Sequence, residues 1–319
     1  MDFITILLIF GGMLVGFSIG ANDAGNCMGT SVGAGVIDYK KALYIVAILA
    51  FIGAFLQGGN TISTMGKGLV DPNSLSDIAV ASVLLGAGLL VILFSLFGMP
   101  VSATMAVLGA VAGVSVLLHA HVFWGNVSKI FFLGFMTPII AAIISFIIYK
   151  FYLALKINER FLWMEKVLGL LVIVSGGFLA YSLGANNVGN SMGLIMQKGI
   201  FGPAVVGIIG GLTISIGAVV LGKNVMTTIG RDIIQLSVIT SFTSQLGAAI
   251  TMYGLTLLAI PTSSTFAIIG AIFGSGLVKG MYTIELKVIK EILVGWITSP
   301  LLGAIFAVVL FKILTFILT

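Results

Sequence analysis

Ser18–Gly29 reads SIGANDAGNCMG, and Ser182–Gly193 reads SLGANNVGNSMG. The second copy begins 164 residues after the first (182 − 18). Each is a polar, glycine-rich stretch set in apolar chain. Gly costs about 1 kcal/mol against Ala in a helix interior, and Asn and Asp compete with the backbone for its hydrogen bonds. The sequence therefore predicts that a helix unwinds at Gly20–Asn26 and again at Gly184–Asn190. Two such breaks at matching points of two apolar halves point to one shared site between them.

The repeat continues in register. Gly58–Gly66, GGNTISTMG, matches Gly222–Gly230, GKNVMTTIG. Pro100–Gly113, PVSATMAVLGAVAG, matches Pro261–Gly274, PTSSTFAIIGAIFG, with seven identities in fourteen. Thr137-Pro138 then matches Ser299-Pro300. This divides the chain into a first repeat at 1–150, a charged cytoplasmic linker at 151–166, and a second repeat at 167–319.

Of 319 residues 59% are hydrophobic and 8% are charged. A soluble domain carries roughly 25% charged residues, so this chain cannot build a water-facing surface. Its charge-free runs accommodate about ten spans of ~20 residues, near 3–22, 41–58, 78–97, 100–118, 127–150, 167–184, 203–221, 236–258, 261–278 and 291–312. Segments 24–37 and 188–200 are too short to cross and read as second arms of the broken helices. Five spans per half make the halves inverted. With the N-terminus outside, Lys and Arg divide eleven inside (Lys40, Lys41, Lys150, Lys156, Arg160, Lys166, Lys223, Arg231, Lys279, Lys287, Lys290) to four outside (Lys67, Lys129, Lys198, Lys312), as the positive-inside rule requires. The expected fold is an all-α polytopic membrane protein: two inverted-topology repeats with broken or re-entrant helices around a midplane site. The expected location is a cell membrane, inner or plasma, in multi-pass form. The net charge of +5 sits on loop lysines, so no nucleic-acid binding follows. Lone Cys27 allows no internal disulfide. His119 and His121 are an i,i+2 pair that shares no helix face, and no nucleophile–base pairing points to an enzyme.

Asp23 is the one carboxylate well inside an apolar run. At mid-helix it costs roughly 3 kcal/mol on insertion scales. It reads as a hard-cation ligand or as a cap on a half-helix, and the two roles are compatible. Its counterpart Asn187 keeps an oxygen and loses the charge. Pro100–Thr104 and Pro261–Thr265 each open a Gly- and Ala-rich run with Pro followed by Ser and Thr, which is a helix-start pattern. They also present hydroxyls and free amides at a positive helix end, where an oxyanion is stabilised. No Lys or Arg lies in the core of a predicted span. An anion site without a fixed cation must gain positive charge from cations bound with it, so the residue inventory points to cation-coupled anion transport.

GANDAGN and GANNVGN resemble the duplicated signature of the inorganic phosphate transporter family, the sodium- or proton-coupled phosphate symporters. Gly58–Asp71 and the two P-x-S-x-T segments resemble further motifs of that family, and the likeness runs from about Phe17 to Pro300. The resemblance implies phosphate import driven by a cation gradient, by alternating access. It makes Ser102, Thr104, Ser263, Ser264, Thr265, Asp23 and Asn187 candidates for phosphate. It makes Asn22, Asp23, Asn26, Asn186, Asn187 and Asn190 candidates for sodium, with Gln245 read either as a ligand or as a packing residue. Family members often have His after the Thr of the P-x-S-x-T motif and acids elsewhere, where this chain has Met105, Phe266, Ala50 and Gln245. Titratable groups are thus scarce, and Na⁺ is favoured over H⁺ as the coupled ion. No resident cofactor is implied. The expected partners are inorganic phosphate, sodium ions and the lipid bilayer. A homodimer is compatible with such folds, although no residue pattern points to one. The competing readings are a symporter for sulfate or another oxyanion on the same scaffold, and an anion channel.

Overall fold

A computed structural model describes residues 2–71, 74–156, 162–231, 237–280 and 286–318. The chain forms helices α1 (Phe3–Gly33), α2 (Tyr39–Gln57), α3 (Gly59–Lys67), α4 (Asp77–Leu96), α5 (Ala103–Leu117) and α6 (Trp124–Ala154). The second half repeats the series as α7 (Leu162–Gln197), α8 (Pro203–Leu221), α9 (Lys223–Arg231), α10 (Val238–Leu257), α11 (Ser264–Lys279) and α12 (Leu286–Leu318). Part of the expected linker, 157–161, lies outside the described residues. Short polar residues start the helices: Asp2, Asp38, Ser76, Ser102, Ser237 and Ser263 each accept a first-turn backbone N–H.

Among the described residues seven helices (α1, α2, α4, α6, α7, α8 and α12) are long and apolar enough to cross a membrane. Large apolar side chains such as Phe132, Leu170 and Ile297 are more than 60% exposed around the outside, a surface that lipid covers and water would not. α5 and α11, with 15 and 16 residues, are about 22–24 Å long at 1.5 Å per residue. That is short of the ~30 Å hydrocarbon thickness.

The breaks differ from those expected. α1 runs without interruption through GANDAGN, and α7 runs through GANNVGN. Residues 24–33 and 188–197 are therefore continuations of long helices and not separate arms. The glycines serve close packing instead. A Cβ at Gly20 would lie 1.8 Å from the Ile214 carbonyl oxygen, and one at Gly184 would lie 1.8 Å from that of Ala50. Gly25 and Gly189 likewise meet the backbone of α9 and α3. Small residues let helix backbones touch, and here that gain offsets the propensity cost. The interruptions lie instead at 97–102 and 258–263, between α4 and α5 and between α10 and α11, where the sequence ends one apolar run and opens the next at Pro100 or Pro261. Gly98 and Ala259, at equivalent places in these breaks, have φ of +68° and +57°.

The halves interleave. α1 packs along α8 and α9, and α7 along α2 and α3. α12 packs on α4 and α5, and α6 on α10 and α11. Each of these main cross-half pairings has its counterpart in the other half. Lys67 and Lys129 share one cavity, and Lys223 lies 5.8 Å from the Tyr39 ring.

Candidate functional site

Two carboxamides pin the breaks. Asn22 Nδ2 donates to Ser95 Oγ and to the Met99 carbonyl, both at 3.0 Å, while the Val101 N–H donates to Asn22 Oδ1 at 3.1 Å. In the second half Asn186 Nδ2 donates to Thr256 Oγ1 (2.8 Å) and the Ile260 carbonyl (3.1 Å), and the Thr262 N–H donates to Asn186 Oδ1 (2.8 Å). All three partners are offset by 161 residues (256 − 95, 260 − 99, 262 − 101). Asn22 and Asn186 therefore satisfy backbone that a helix break would leave bare, and they fix where α5 and α11 begin. Sequence reasoning grouped them with the ligands and missed Ser95 and Thr256. Extending the 161-residue register backward from Pro100 and Pro261 would have paired the two.

The N-termini of α5 and α11 meet α1 and α7 at one network. Asn26 Nδ2 donates to Ser264 Oγ (3.0 Å), Thr265 Oγ1 (2.9 Å) and Asp23 Oδ1 (3.1 Å). Asn190 Nδ2 donates to Thr104 Oγ1 (2.8 Å) and Asn187 Oδ1 (3.1 Å). Asn187 Nδ2 reaches Asp23 Oδ2 at 3.2 Å and joins the two halves directly. Thr104 donates to the Thr262 carbonyl (2.9 Å), and Thr265 to the Val101 carbonyl (3.0 Å), so each half's threonine closes the other half's break. Thr137 Oγ1 and Thr262 Oγ1 are hydrogen-bonded at 2.6 Å; neither was among the expected ligands, although both lie in segments that the repeat matched. Ser102 and Ser263 cap their helices through Met105 N–H (3.2 Å) and Phe266 N–H (3.3 Å). Met105 and Phe266 themselves are fully buried in apolar surroundings, with the Phe266 ring centroid 4.0 Å from that of Trp296.

Asp23 is the one charged group in this network, and it is 2% exposed. The ion pairs among the described residues, Lys41–Asp38 and Lys198–Asp77, lie elsewhere. Two buried oxygens, Asn26 Oδ1 and Asn190 Oδ1, have no hydrogen-bond partner. They occupy equivalent positions in the two halves. A buried polar atom left bare costs about 1–3 kcal/mol, so a matched pair beside a carboxylate is a place for a ligand that accepts oxygen donors. Among the described residues no group of three His, Cys, Asp or Glu exists for a transition metal; the donor set is a hard-cation set of neutral oxygens and one carboxylate. The first-turn amides of α5 and α11, which no helix satisfies internally, add a donor set for an anion. Gln245 stands apart from this network. It donates to the Cys27 carbonyl (3.0 Å) and Ser31 Oγ, and its oxygen accepts from Ser175 (3.1 Å), which joins α10 to α1 and α7.

A family model described as "Phosphate transporter family" matches residues 19–307. The chain belongs to the phosphate transporter family. A candidate phosphate permease of Pyrococcus abyssi is 28% identical, over 98% of this chain and 98% of its own length. The chloroplastic inorganic phosphate transporter 2-1 of Arabidopsis thaliana is 25% identical over 98% of this chain and 74% of its own. A solved structure titled "The sodium-dependent phosphate transporter" superposes with a TM-score of 0.92 at 24% identity, covering 99% of this chain and all of that one, which shows the common fold. In this multi-pass phosphate transporter, the buried network lies where two short helices, α5 and α11, begin.

Proposed function

We propose that this phosphate transporter is a sodium symporter working by alternating access between inverted repeats, with its ligands held in the Asp23 network. The observation that carries the reading is the pair of bare, buried oxygens, Asn26 Oδ1 and Asn190 Oδ1, beside the lone carboxylate of Asp23. Sodium needs only oxygen ligands, and Asp23, Asn26, Asn187 and Asn190 supply them. Phosphate then sits against the starts of α5 and α11, with Thr104, Ser264 and Thr265 offering hydroxyls. Each helix end contributes about half a positive charge, which is too little to hold HPO4²⁻ in a buried site. Bound sodium supplies the remainder. Asn22, Asn186, Ser102 and Ser263 set the geometry of the breaks; Gln245 ties helices together. Met105 and Phe266, apolar where relatives often carry His, support sodium over protons because nothing at those positions titrates.

All network side chains are nearly inaccessible, which supports a closed intermediate between outward- and inward-open forms. Each net positive charge carried inward across the membrane gains about 2.3 kcal/mol per 100 mV. Uptake of labelled phosphate into proteoliposomes tests the reading, with Na⁺ and H⁺ gradients imposed separately. Accumulation is expected with inward Na⁺ alone. Accumulation driven by a proton gradient in sodium-free medium overturns the coupling, and efficient competition by sulfate overturns the selectivity.

A further inference from the structure

The C-terminal turn of α3, the first turns of α6 and the loop leading into α11 enclose an open cavity of about 440 Å³. Ser63 and Lys67 line it from α3, Asn126 and Lys129 from α6, and Ala259 and Ile260 form its floor. Neither lysine has an ion-pair partner among the described residues, and no carboxylate is among the described lining residues. α6 starts here without a side-chain cap, so its positive end faces the same space. The α3 C-terminus is already satisfied, since Asn126 Nδ2 donates to the Gly68 carbonyl at 2.9 Å.

The floor is also the outer wall of the Asp23 network. Thr64 Oγ1 holds the Ala259 carbonyl from the cavity side at 2.9 Å, and Asn186 Nδ2 holds the Ile260 carbonyl from the site side at 3.1 Å. Ala259 adopts φ +57° where its counterpart Gly98 has φ +68°. A side chain in that region is strained; backbone bonds from Ala259 and Ile260 N–H to the end of α10 hold the partition, and its two carbonyls are each taken by one side chain. By sequence register the counterparts of Lys67 and Lys129 are Arg231 and Glu291, a pair of opposite sign. The doubly cationic arrangement belongs to one end of the molecule.

We propose that this cavity is an oxyanion antechamber, in which Lys67 and Lys129 collect inorganic phosphate one loop away from the central site. The inference rests on the chain's being a phosphate transporter. Both lysines are exposed, so solvent and salt screen them; their effect is on capture and not on tight holding. Phosphate uptake at fixed Na⁺ is measured for Lys67→Gln/Lys129→Gln while choline chloride is varied. The KM for phosphate is expected to rise about tenfold at low ionic strength, with the maximal rate kept, and the difference is expected to vanish near 0.5 M salt, where the Debye length is only a few Å. The Lys67→Arg/Lys129→Arg variant should restore the wild-type KM. An unchanged KM in the Gln variant, or a rise that ignores salt, overturns the proposal. A readout without transport separates the two ideas. Ser63→Cys should react faster with an anionic than with a cationic methanethiosulfonate, the order should invert in the Gln background, and phosphate should slow the anionic reagent. That pattern in a protein that moves no phosphate sinks the transport reading and keeps the cavity. Normal uptake with no reagent preference sinks the cavity alone.

Discussion

α4 and α10 occupy equivalent places in the two halves, yet they are chemically unlike. α4 carries Ser82 and Ser95 as its buried polar residues, whereas α10 buries Thr240, Ser241, Thr243, Ser244, Gln245, Thr251 and Thr256. Two hydroxyl pairs keep their register, Ser82 with Thr243 and Ser95 with Thr256. Ser95 and Thr256 each receive the carboxamide that pins the neighbouring break. Elsewhere the symmetry lapses, with Leu84 facing the register of Gln245, Val83 that of Ser244 and Val80 that of Ser241. In the second half Ser145, Thr243, Ser244 and Ser275 form a hydroxyl cluster joining α6, α10 and α11. The corresponding positions Ala307, Ser82, Val83 and Val114 leave the first half nearly apolar there. The lesson is that duplication is kept where both halves hold the same interruption between helices, and is relaxed where each helix merely needs packing.

The sharpest way to break that symmetry is at its own exception, Asp23 opposite Asn187. Asp23→Asn leaves the fold intact and is expected to lower sodium-driven phosphate uptake by at least about 100-fold, since it removes the one charge an intramembrane cation can meet. The Asp23→Asn/Asn187→Asp exchange is expected to recover measurable uptake, because the carboxylate returns within one hydrogen bond of its former place (3.2 Å). Wild-type transport in Asp23→Asn removes that residue from the mechanism.

The packing glycines should behave alike in both halves. Gly20→Ala and Gly184→Ala each drive a methyl to 1.8 Å from a carbonyl oxygen. Each is expected to lose about 1–3 kcal/mol, as overpacked sites do, read as a fall in the detergent-solubilised unfolding temperature. A large fall in one and none in the other would show that the two-fold relation does not extend to the helix crossings.

Asn22→Ala and Asn186→Ala bare the amides of Val101 and Thr262. A loss of about 1–3 kcal/mol is expected in each, with the maximal rate lowered more than the sodium affinity, because α5 and α11 lose their fixed starts. A selective loss of sodium affinity would make these residues ligands.

The smallest effect is expected at the asymmetric position. Gln245→Leu imports the first-half residue type and should cost about 1 kcal/mol, as a buried interhelical hydrogen bond does, with sodium dependence preserved. A tenfold weaker sodium response in the same variant would move Gln245 from a helix tie into the ligand set.

Much of the molecule was legible in one dimension. Each of the ten expected spans falls on a helix, although among the described residues seven helices are long and apolar enough to cross and α5 and α11 are too short; the repeat gave the pairing of halves, because duplication preserves register. The site was legible as a cluster of residue types. Asn26 and Asn190 could not be told from Asn22 and Asn186, since Asn22 and Asn26, like Asn186 and Asn190, are two asparagines four residues apart in one copy of the motif. Only their neighbours separate them: one pair spends its oxygens on backbone amides, and the other leaves them bare. Trp296 is buried against Phe266, a contact its place in the sequence does not disclose.

By itself the amino-acid sequence determined that this chain lives in lipid, that it is a duplication, and that its polar residues concentrate at matched points, for these follow from composition and spacing. The tertiary structure decided that the helices carry on through GANDAGN and GANNVGN. Glycine weakens a helix in isolation, but whether the chain unwinds depends on what lies across from it. At Gly20 and Gly184 another backbone presses close and the helix holds; at Gly98 and Ala259 an asparagine from the neighbouring helix takes up the freed groups, and the helix ends.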